Sequence, residues 1–203
     1  MITPDWTSPS PHFDSRPPTG QGVVIHATRS GKSMNPSELT GTLNWFQNPA
    51  SQVSSHWVIG RAGQKVRVIP DDRRAWHAGT HNATHWGIEL EQGVQTDGFT
   101  APQIASLIEV CRDYVAMGVP ARHAFDGFIG HDETTQGRAS GKSDPGYLFN
   151  WSGLIAGISN TTPTPEAIAW ACISTGQFAR MGYVYRDLSD ADKDALRWVV
   201  SQF

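Results

Sequence analysis

The sequence predicts a mixed α/β fold, in which a mixed central β-sheet is flanked by α-helices. Short β-rich runs recur along the chain, and amphipathic helical patterns lie between and after them, with loop-forming residues at the junctions. The 203 residues suffice for one domain of ordinary size with its own hydrophobic core and a small additional segment. The pattern leaves the order of the strands in the sheet open.

Four runs have the composition of β-strands: residues 22–28, 56–60, 65–69 and 87–91. The first is an apolar run typical of a buried strand. The second and third flank Arg61-Ala62-Gly63 and predict a hairpin. In the fourth, alternation places Glu89 and Glu91 on one face of the strand and Ile88 and Leu90 on the other.

Two helices are predicted from apolar residues at helical spacing. Residues 36–48 carry Leu39, Leu43 and Phe46 on one stripe. Residues 102–117 carry a second stripe, which consists of Ile104, Leu107, Ile108, Cys111 and Val115. Gly118 is expected to end this second helix.

The ends of the chain differ in composition from its middle. Residues 1–20 are rich in Pro, Ser and Thr and predict an extended arm on the domain surface. We therefore expect a main domain over residues 1–158, a linker over residues 159–164 and a helical C-terminal extension over residues 165–203. A piece of about 40 residues is near the lower limit for independent folding, so the extension is expected to pack on the main domain or on a partner.

Composition excludes several classes of function. A net charge of −3 without a dense basic run argues against nucleic acid as a partner. No apolar run is long enough for membrane insertion, and residues 1–6 lack the basic and apolar regions of a signal peptide, so we expect synthesis in the cytoplasm. Cys111 and Cys172 lie in apolar, helix-like contexts, which favours two buried thiols over a disulfide or a metal role.

The candidate metal-binding and catalytic residues lie in one polar segment and at the end of one predicted strand. Gly130-His131-Asp132 is followed, after a loop, by Lys142-Ser143-Asp144-Pro145-Gly146, and His26 ends an apolar run. His26, His131 and Asp144 would satisfy a catalytic zinc site, which needs three ligands and an open position. The same donors also suit non-haem iron. Iron enzymes of that class usually have a histidine and the acid two residues apart, however, and His26, His131 and Asp144 lack this spacing, so zinc is preferred.

Five blocks of residues follow one another in a characteristic order. They are Val24-Ile25-His26-Ala27-Thr28, Ser54-Ser55-His56-Trp57-Val58-Ile59, Ala75-Trp76-His77-Ala78-Gly79, Gly87-Ile88-Glu89-Leu90-Glu91, and Gly130-His131 with Lys142-Ser143-Asp144-Pro145-Gly146. In this order the blocks resemble the zinc-dependent N-acetylmuramoyl-L-alanine amidases of the amidase-2 type. This group includes many phage endolysins and shares its fold with peptidoglycan-recognition proteins. The resemblance covers residues 12–158.

The resemblance implies a zinc ion (Zn²⁺) at one end of a substrate groove. By position, His26, His131 and Asp144 match the zinc ligands, Glu89 matches the acid/base carboxylate, and Lys142 matches the cation beside the reacting carbonyl. Such a site would hydrolyse the amide between N-acetylmuramic acid and L-alanine in peptidoglycan. Glu89 would pass a proton from water to the departing amine, and Lys142 would stabilise the developing oxyanion.

The remaining residues of the motifs receive weaker assignments. Trp76 and His77 are expected to line the groove and bind substrate. The role of His56 stays open between groove contact and a buried, hydrogen-bonded position that orients its neighbours. His81 and His85 are expected at the surface, and His123 receives no role. The loop over residues 132–141 is longer than in compact members of the family.

The expected biological role is that of a phage or prophage endolysin, a monomer that reaches the cell wall after the membrane is breached. A cytosolic amidase that recycles anhydro-muropeptides is the alternative. A module that binds peptidoglycan without cutting it is disfavoured, because all three ligand positions are filled and Glu89 and Lys142 accompany them.

Overall fold

A six-stranded mixed sheet forms the centre of the computed structural model, which describes residues 2–31 and 38–159. The strands are β1 (Trp6–Thr7), β2 (Phe13–Asp14), β3 (Gly22–Ala27), β4 (Trp57–Ile59), β5 (Lys65–Arg67), β6 (Arg74–Ala75), β7 (His85–Leu90) and β8 (Phe128–Gly130). The helices are α1 (Glu38–Gln47), α2 (Ala101–Ala116), α3 (Thr135–Ala139) and α4 (Trp151–Ile158), with 3-10 turns at Gly79–Ala83 and His131–Glu133. The predicted α/β class is confirmed.

The sheet has the order β1-β5-β4-β7-β3-β8, and β2 pairs with β6 in a separate antiparallel ribbon. β4, β7, β3 and β8 are parallel, whereas β5 runs antiparallel to β4 as the second strand of the predicted hairpin. β3 lies between two parallel neighbours, and all six of its residues are buried. The carboxyl ends of β7, β3 and β8 therefore meet at one edge of the sheet.

The predicted first helix forms where the structure describes it. Leu39, Leu43 and Phe46 of α1 are buried in one cluster with Val58 of β4 and Val66 of β5. The helical spacing of these three side chains is what brings them together on the sheet.

The second helix is confirmed, but its buried face differs from the predicted stripe. Thr100 caps α2 by accepting a hydrogen bond from the backbone of Gln103, and Gly118 follows the helix with a φ of +107°. Ile104, Ile108 and Val115 are only partly buried, whereas the buried residues of α2 are Gln103, Ser106, Leu107, Val110, Cys111 and Tyr114.

Hydrogen bonding explains this rotation of the buried face. The Gln103 amide donates to the carbonyl oxygens of Ile59 and Glu91, 3.0 Å away in each case, and the Ser106 hydroxyl donates to the Gly63 carbonyl. These two polar residues can be buried, since the amide nitrogen of Gln103 and the hydroxyl of Ser106 find partners there. A stripe drawn from apolar residues alone does not include them.

The N-terminal arm is extended as predicted, but it is more than a surface segment. β1 adds an edge strand to the sheet through β5, and the side chains of Ser10 and His12 are buried. His12 Nε2 lies 2.9 Å from the Asn48 carbonyl oxygen, to which it donates. The Pro and Ser content of the arm does not predict this packing, because the packing depends on residues far along the chain.

The chain divides into two compact units, Met1–Phe149 and Asn150–Phe203. In the second unit, Asn150 caps α4 by accepting a hydrogen bond from the backbone of Gly153. The predicted linker beyond Ser159, the C-terminal helices and Cys172 lie outside the described residues, while Cys111 is a buried free thiol as expected. Within the described ranges, no helix combines the length and apolar character needed to cross a membrane.

Candidate metal centre and active site

The three predicted ligands come together at the carboxyl edge of the parallel strands. His26 is the fifth residue of β3, and His131 directly follows β8, whose Gly130 pairs with Ile25. Each of His26, His131 and Asp144 offers a ligand atom within 4.8 Å of the others. Asp144 Oδ2 lies 3.5 Å from His26 Nδ1 and 3.2 Å from His131 Nδ1. The two Nδ1 atoms and one carboxylate oxygen therefore face a common point.

The long loop that follows His131 is folded, and its structure returns Asp144 to the site. The backbone of Asp132 donates to the Asp144 carbonyl at 3.0 Å, and that of Lys142 donates to the Gly137 carbonyl at 2.8 Å. Gly137 approaches the His131 carbonyl so closely that a Cβ there would lie 1.8 Å from the oxygen. A glycine is needed at this position for α3 to pack against His131.

The charges of the ligand group favour an ionised carboxylate between two imidazoles. Burial opposes ionisation of Asp144, but the adjacent imidazoles of His131 and His26 hold the pKa of its carboxyl well below the ordinary value. Burial lowers the pKa of His26, against the opposing effect of Asp144. A neutral imidazole and an ionised carboxylate are the forms that bind metals.

Glu89 lies beside His26, because the two residues are register partners in β7 and β3. Its Oε2 atom is buried and has no hydrogen-bond partner among the described residues. Burial, and then the negative charge of Asp144, raise the pKa of Glu89 well above its ordinary value, while Lys142 acts in the opposite direction. A carboxyl group with a raised pKa at a ligand site is suited to take up and release protons near neutral pH.

Lys142 is exposed, and its positive charge influences both Glu89 and His26. The structure thus brings together His26, His131, Asp144 and Glu89, and Lys142 lies two residues before Asp144 on the same loop. Glu91, which shares the same sequence block, is directed elsewhere, since its Oε2 accepts a hydrogen bond from the Arg61 backbone at 2.8 Å.

Sequence reasoning missed Arg29, which holds the loop between Lys142 and Asp144. Its Nη1 donates to the Ser143 hydroxyl at 2.6 Å, and its Nη2 donates to the Ser143 carbonyl at 2.7 Å. Arg29 adopts a φ of +43°, which is uncommon for a residue other than glycine. Its position three residues after His26 was the available signal, but its partner is 114 residues away.

Trp76 and His77, predicted to contact substrate, have different surroundings. Trp76 is partly exposed, and its indole donates to Asp14 Oδ1 at 3.2 Å. His77 uses both ring nitrogens inside the protein, since Nδ1 lies 3.0 Å from His26 Nε2 and Nε2 lies 3.2 Å from the His85 carbonyl. Burial, followed by the charges of His26 and His56, lowers the pKa of His77 well below its ordinary value.

Three further histidines, His56, His81 and His85, are buried. His56, whose role the sequence leaves open, is fully buried. It donates to the Arg73 carbonyl and accepts from the Gly87 backbone. The expectation that His81 and His85 lie at the surface is wrong, since both are buried. His85 donates to the Phe125 carbonyl at 2.7 Å, and both imidazoles pack against the Phe125 ring.

Solved structures share this arrangement of sheet and helices and define the class of protein. A selenomethionine derivative of AmpD superposes with a TM-score of 0.58 at 28% identity, covering 78% of this chain and 96% of that chain. The catalytic domain of XlyA gives a TM-score of 0.57 at 18% identity, covering 77% and 99%, which shows the fold alone. The fold is that of the amidase-2 enzymes.

The family follows from the sequence comparisons. The family model described as N-acetylmuramoyl-L-alanine amidase matches residues 14–147, and the chain belongs to this amidase-2 family of enzymes. The 1,6-anhydro-N-acetylmuramyl-L-alanine amidase AmpD of Salmonella typhimurium is 34% identical over an alignment of 168 positions, which covers 70% of this chain and 84% of that protein. N-acetylmuramoyl-L-alanine amidase A of Achromobacter lyticus is 30% identical over an alignment of 128 positions, which covers 55% of this chain and 72% of that protein.

Proposed function

We propose that the chain is a zinc-dependent amidase that cleaves soluble anhydro-muropeptides between the muramic acid and L-alanine. The observation that carries this proposal is its similarity to relatives named 1,6-anhydro-N-acetylmuramyl-L-alanine amidase, which extends over 84% of the Salmonella protein. These relatives favour the recycling amidase, the alternative considered from the sequence, over the endolysin that was expected first. The endolysin and wall-lysis role receives no support from them.

The ligand group fits zinc. Two imidazole nitrogens and one carboxylate oxygen, all within 4.8 Å of one another, form a donor set typical of catalytic zinc sites with an open position. His26, His131 and Asp144 would hold the ion. Zinc bound there would polarise the scissile carbonyl and lower the pKa of a bound water to about 7.

The chain's own residues supply the proton transfers and the charge stabilisation. Glu89 accepts a proton at its buried carboxyl, where the raised pKa keeps the proton available for the departing amine of L-alanine. Lys142 places a positive charge near the carbonyl oxygen that becomes negative during attack. Arg29 holds the Lys142 loop through Ser143 and so restricts where this charge can lie.

A comparison of two substrates tests the proposal. The zinc-loaded enzyme should release L-alanyl peptides from small anhydro-muropeptides at least about tenfold faster, per susceptible bond, than from intact sacculi. Enzyme stripped by a chelator is the matched control, and added zinc should restore its activity. Faster solubilisation of sacculi would overturn the recycling role, and full activity after chelation would overturn the zinc requirement.

A further inference from the structure

His77 links the metal ligand His26 to a backbone carbonyl through two hydrogen bonds. His77 Nε2 lies 3.2 Å from the His85 carbonyl oxygen, and His77 Nδ1 lies 3.0 Å from His26 Nε2. A carbonyl oxygen can only accept, so the proton of a neutral His77 is on Nε2 and its Nδ1 must accept. His26 Nε2 is therefore the donor in the contact between the two rings.

This order of donors fixes the tautomer of His26. With its proton on Nε2, a neutral His26 has its lone pair on Nδ1, the atom that lies 3.5 Å from Asp144 Oδ2 and faces the ligand group. We propose that His77 is a positioning residue that holds His26 in this metal-binding tautomer. The inference rests on the proposed zinc site, and it replaces the expected substrate contact of His77 with a role behind the ligand.

A competing hydrogen bond explains why such a residue is needed. In the absence of metal, Asp144 would favour a proton on His26 Nδ1, because the ionised carboxylate is a strong acceptor beside that atom. A His26 protonated on Nδ1 cannot offer this nitrogen to zinc. His77 stabilises the other tautomer, and partners behind a ligand of this kind commonly change metal affinity by roughly 10- to 100-fold.

The surrounding structure leaves the His77 ring little freedom. The backbone amides of His77 and Ala78 both donate to Asn82 Oδ1, at 3.0 and 2.7 Å. Gly87 lies directly against the ring, since a Cβ at that position would be 2.6 Å from His77 Cγ. The sequence thus provides an anchored backbone and a glycine where the imidazole must fit.

Nitrogen NMR of the imidazoles in the zinc-free full-length protein, at mildly alkaline pH, tests the tautomer directly. In the natural sequence, His26 should show a protonated Nε2 and an unprotonated Nδ1. In His77→Ala, the proton should move to Nδ1, and the zinc affinity measured against a competing chelator should fall roughly 10- to 100-fold. His77→Asn, whose amide oxygen can accept near the position of Nδ1, should recover part of this affinity.

His12→Ala is the matched control, because it also removes a buried imidazole that donates to a backbone carbonyl but touches none of the ligands. It should leave the His26 tautomer and the zinc affinity unchanged. A proton on His26 Nδ1 in the natural sequence would overturn the proposal, whether or not His77→Ala folds. So would a folded His77→Ala that keeps both tautomer and affinity. Neither measurement needs a muropeptide. An enzyme that does not cleave muropeptides would therefore contradict the proposed function without deciding the role of His77.

Discussion

Two carboxyl groups near opposite ends of β7 have opposite surroundings. At the amino end, Asp71 is held by both Nη atoms of Arg67 at 2.6 Å and by the Tyr114 hydroxyl at 2.8 Å, and its carbonyl accepts from Trp86. At the carboxyl end, Glu89 has a buried oxygen without a partner in the described part of the chain. A saturated network contributes to stability, whereas an unsatisfied carboxyl oxygen beside three clustered metal-ligand side chains suits a catalytic role.

The largest expected effect is that of Glu89→Gln. An amide cannot take up the proton of water, so kcat on a soluble muropeptide should fall by about 10²- to 10⁴-fold. Since burial already disfavours the ionised carboxyl, the free energy of unfolding should stay equal or rise slightly. Steady-state kinetics and urea unfolding of the same preparation measure both quantities.

Glu91→Gln provides the matched control for Glu89, two residues further along the same segment. Its carboxylate serves the Arg61 backbone rather than the ligand group. This variant should keep kcat within a few-fold of that of the natural sequence. A Glu89→Gln enzyme with full turnover would show that the unsatisfied carboxyl has no catalytic part and would remove the contrast with Asp71.

His56 lies between the two ends and gives the next largest effect, which depends on pH. Burial lowers the pKa of its imidazole from 6.5 to about 4, against the opposing effect of its bond to the Arg73 carbonyl. The unfolded chain therefore binds the proton first as the pH falls. The stability due to a neutral His56 is complete above pH 6.5 and is lost towards pH 4, which amounts to about 3 kcal/mol.

Urea unfolding across this pH range checks the assignment. His56→Gln should lower stability above pH 6.5 because it disturbs the contacts with Arg73 and Gly87, but its stability should fall less steeply below that pH. Part of the pH dependence of stability should remain in this variant, since burial also lowers the pKa of His85. Parallel profiles of the two proteins down to pH 4 would contradict a role for His56 in the acid sensitivity.

The sequence predicted the fold class and the residues of the ligand group because both leave local patterns. Apolar runs predicted β3 and the hairpin, and the order of the motif blocks led to His26, Glu89 and Lys142. The register of the sheet explains why residues from separate motifs lie in one site, because His26 and Glu89 are partners across two parallel strands. Sheet order, which a single sequence leaves open, is what turns separate motifs into one site.

The contacts that sequence reasoning did not supply join distant segments. Arg29 acts on Ser143, 114 residues away, and His77 acts on His26, 51 residues away. His85 was expected at the surface, but the Phe125 carbonyl gives it a partner and allows burial. Hydrophobic periodicity contains no information about hydrogen bonds of this kind.

The smallest expected effect tests the saturated end of β7. Tyr114→Phe removes one hydrogen bond to Asp71 but leaves the carboxylate in its paired contacts with Arg67, so the free energy of unfolding should fall by only about 1 kcal/mol, with kcat unchanged. Tyr147→Phe, which removes the hydroxyl of an exposed tyrosine, is the control and should leave the stability unchanged. A large loss of kcat in folded Tyr114→Phe would mean that the two ends of β7 are coupled, because a network confined to stability has no means of altering turnover at Glu89.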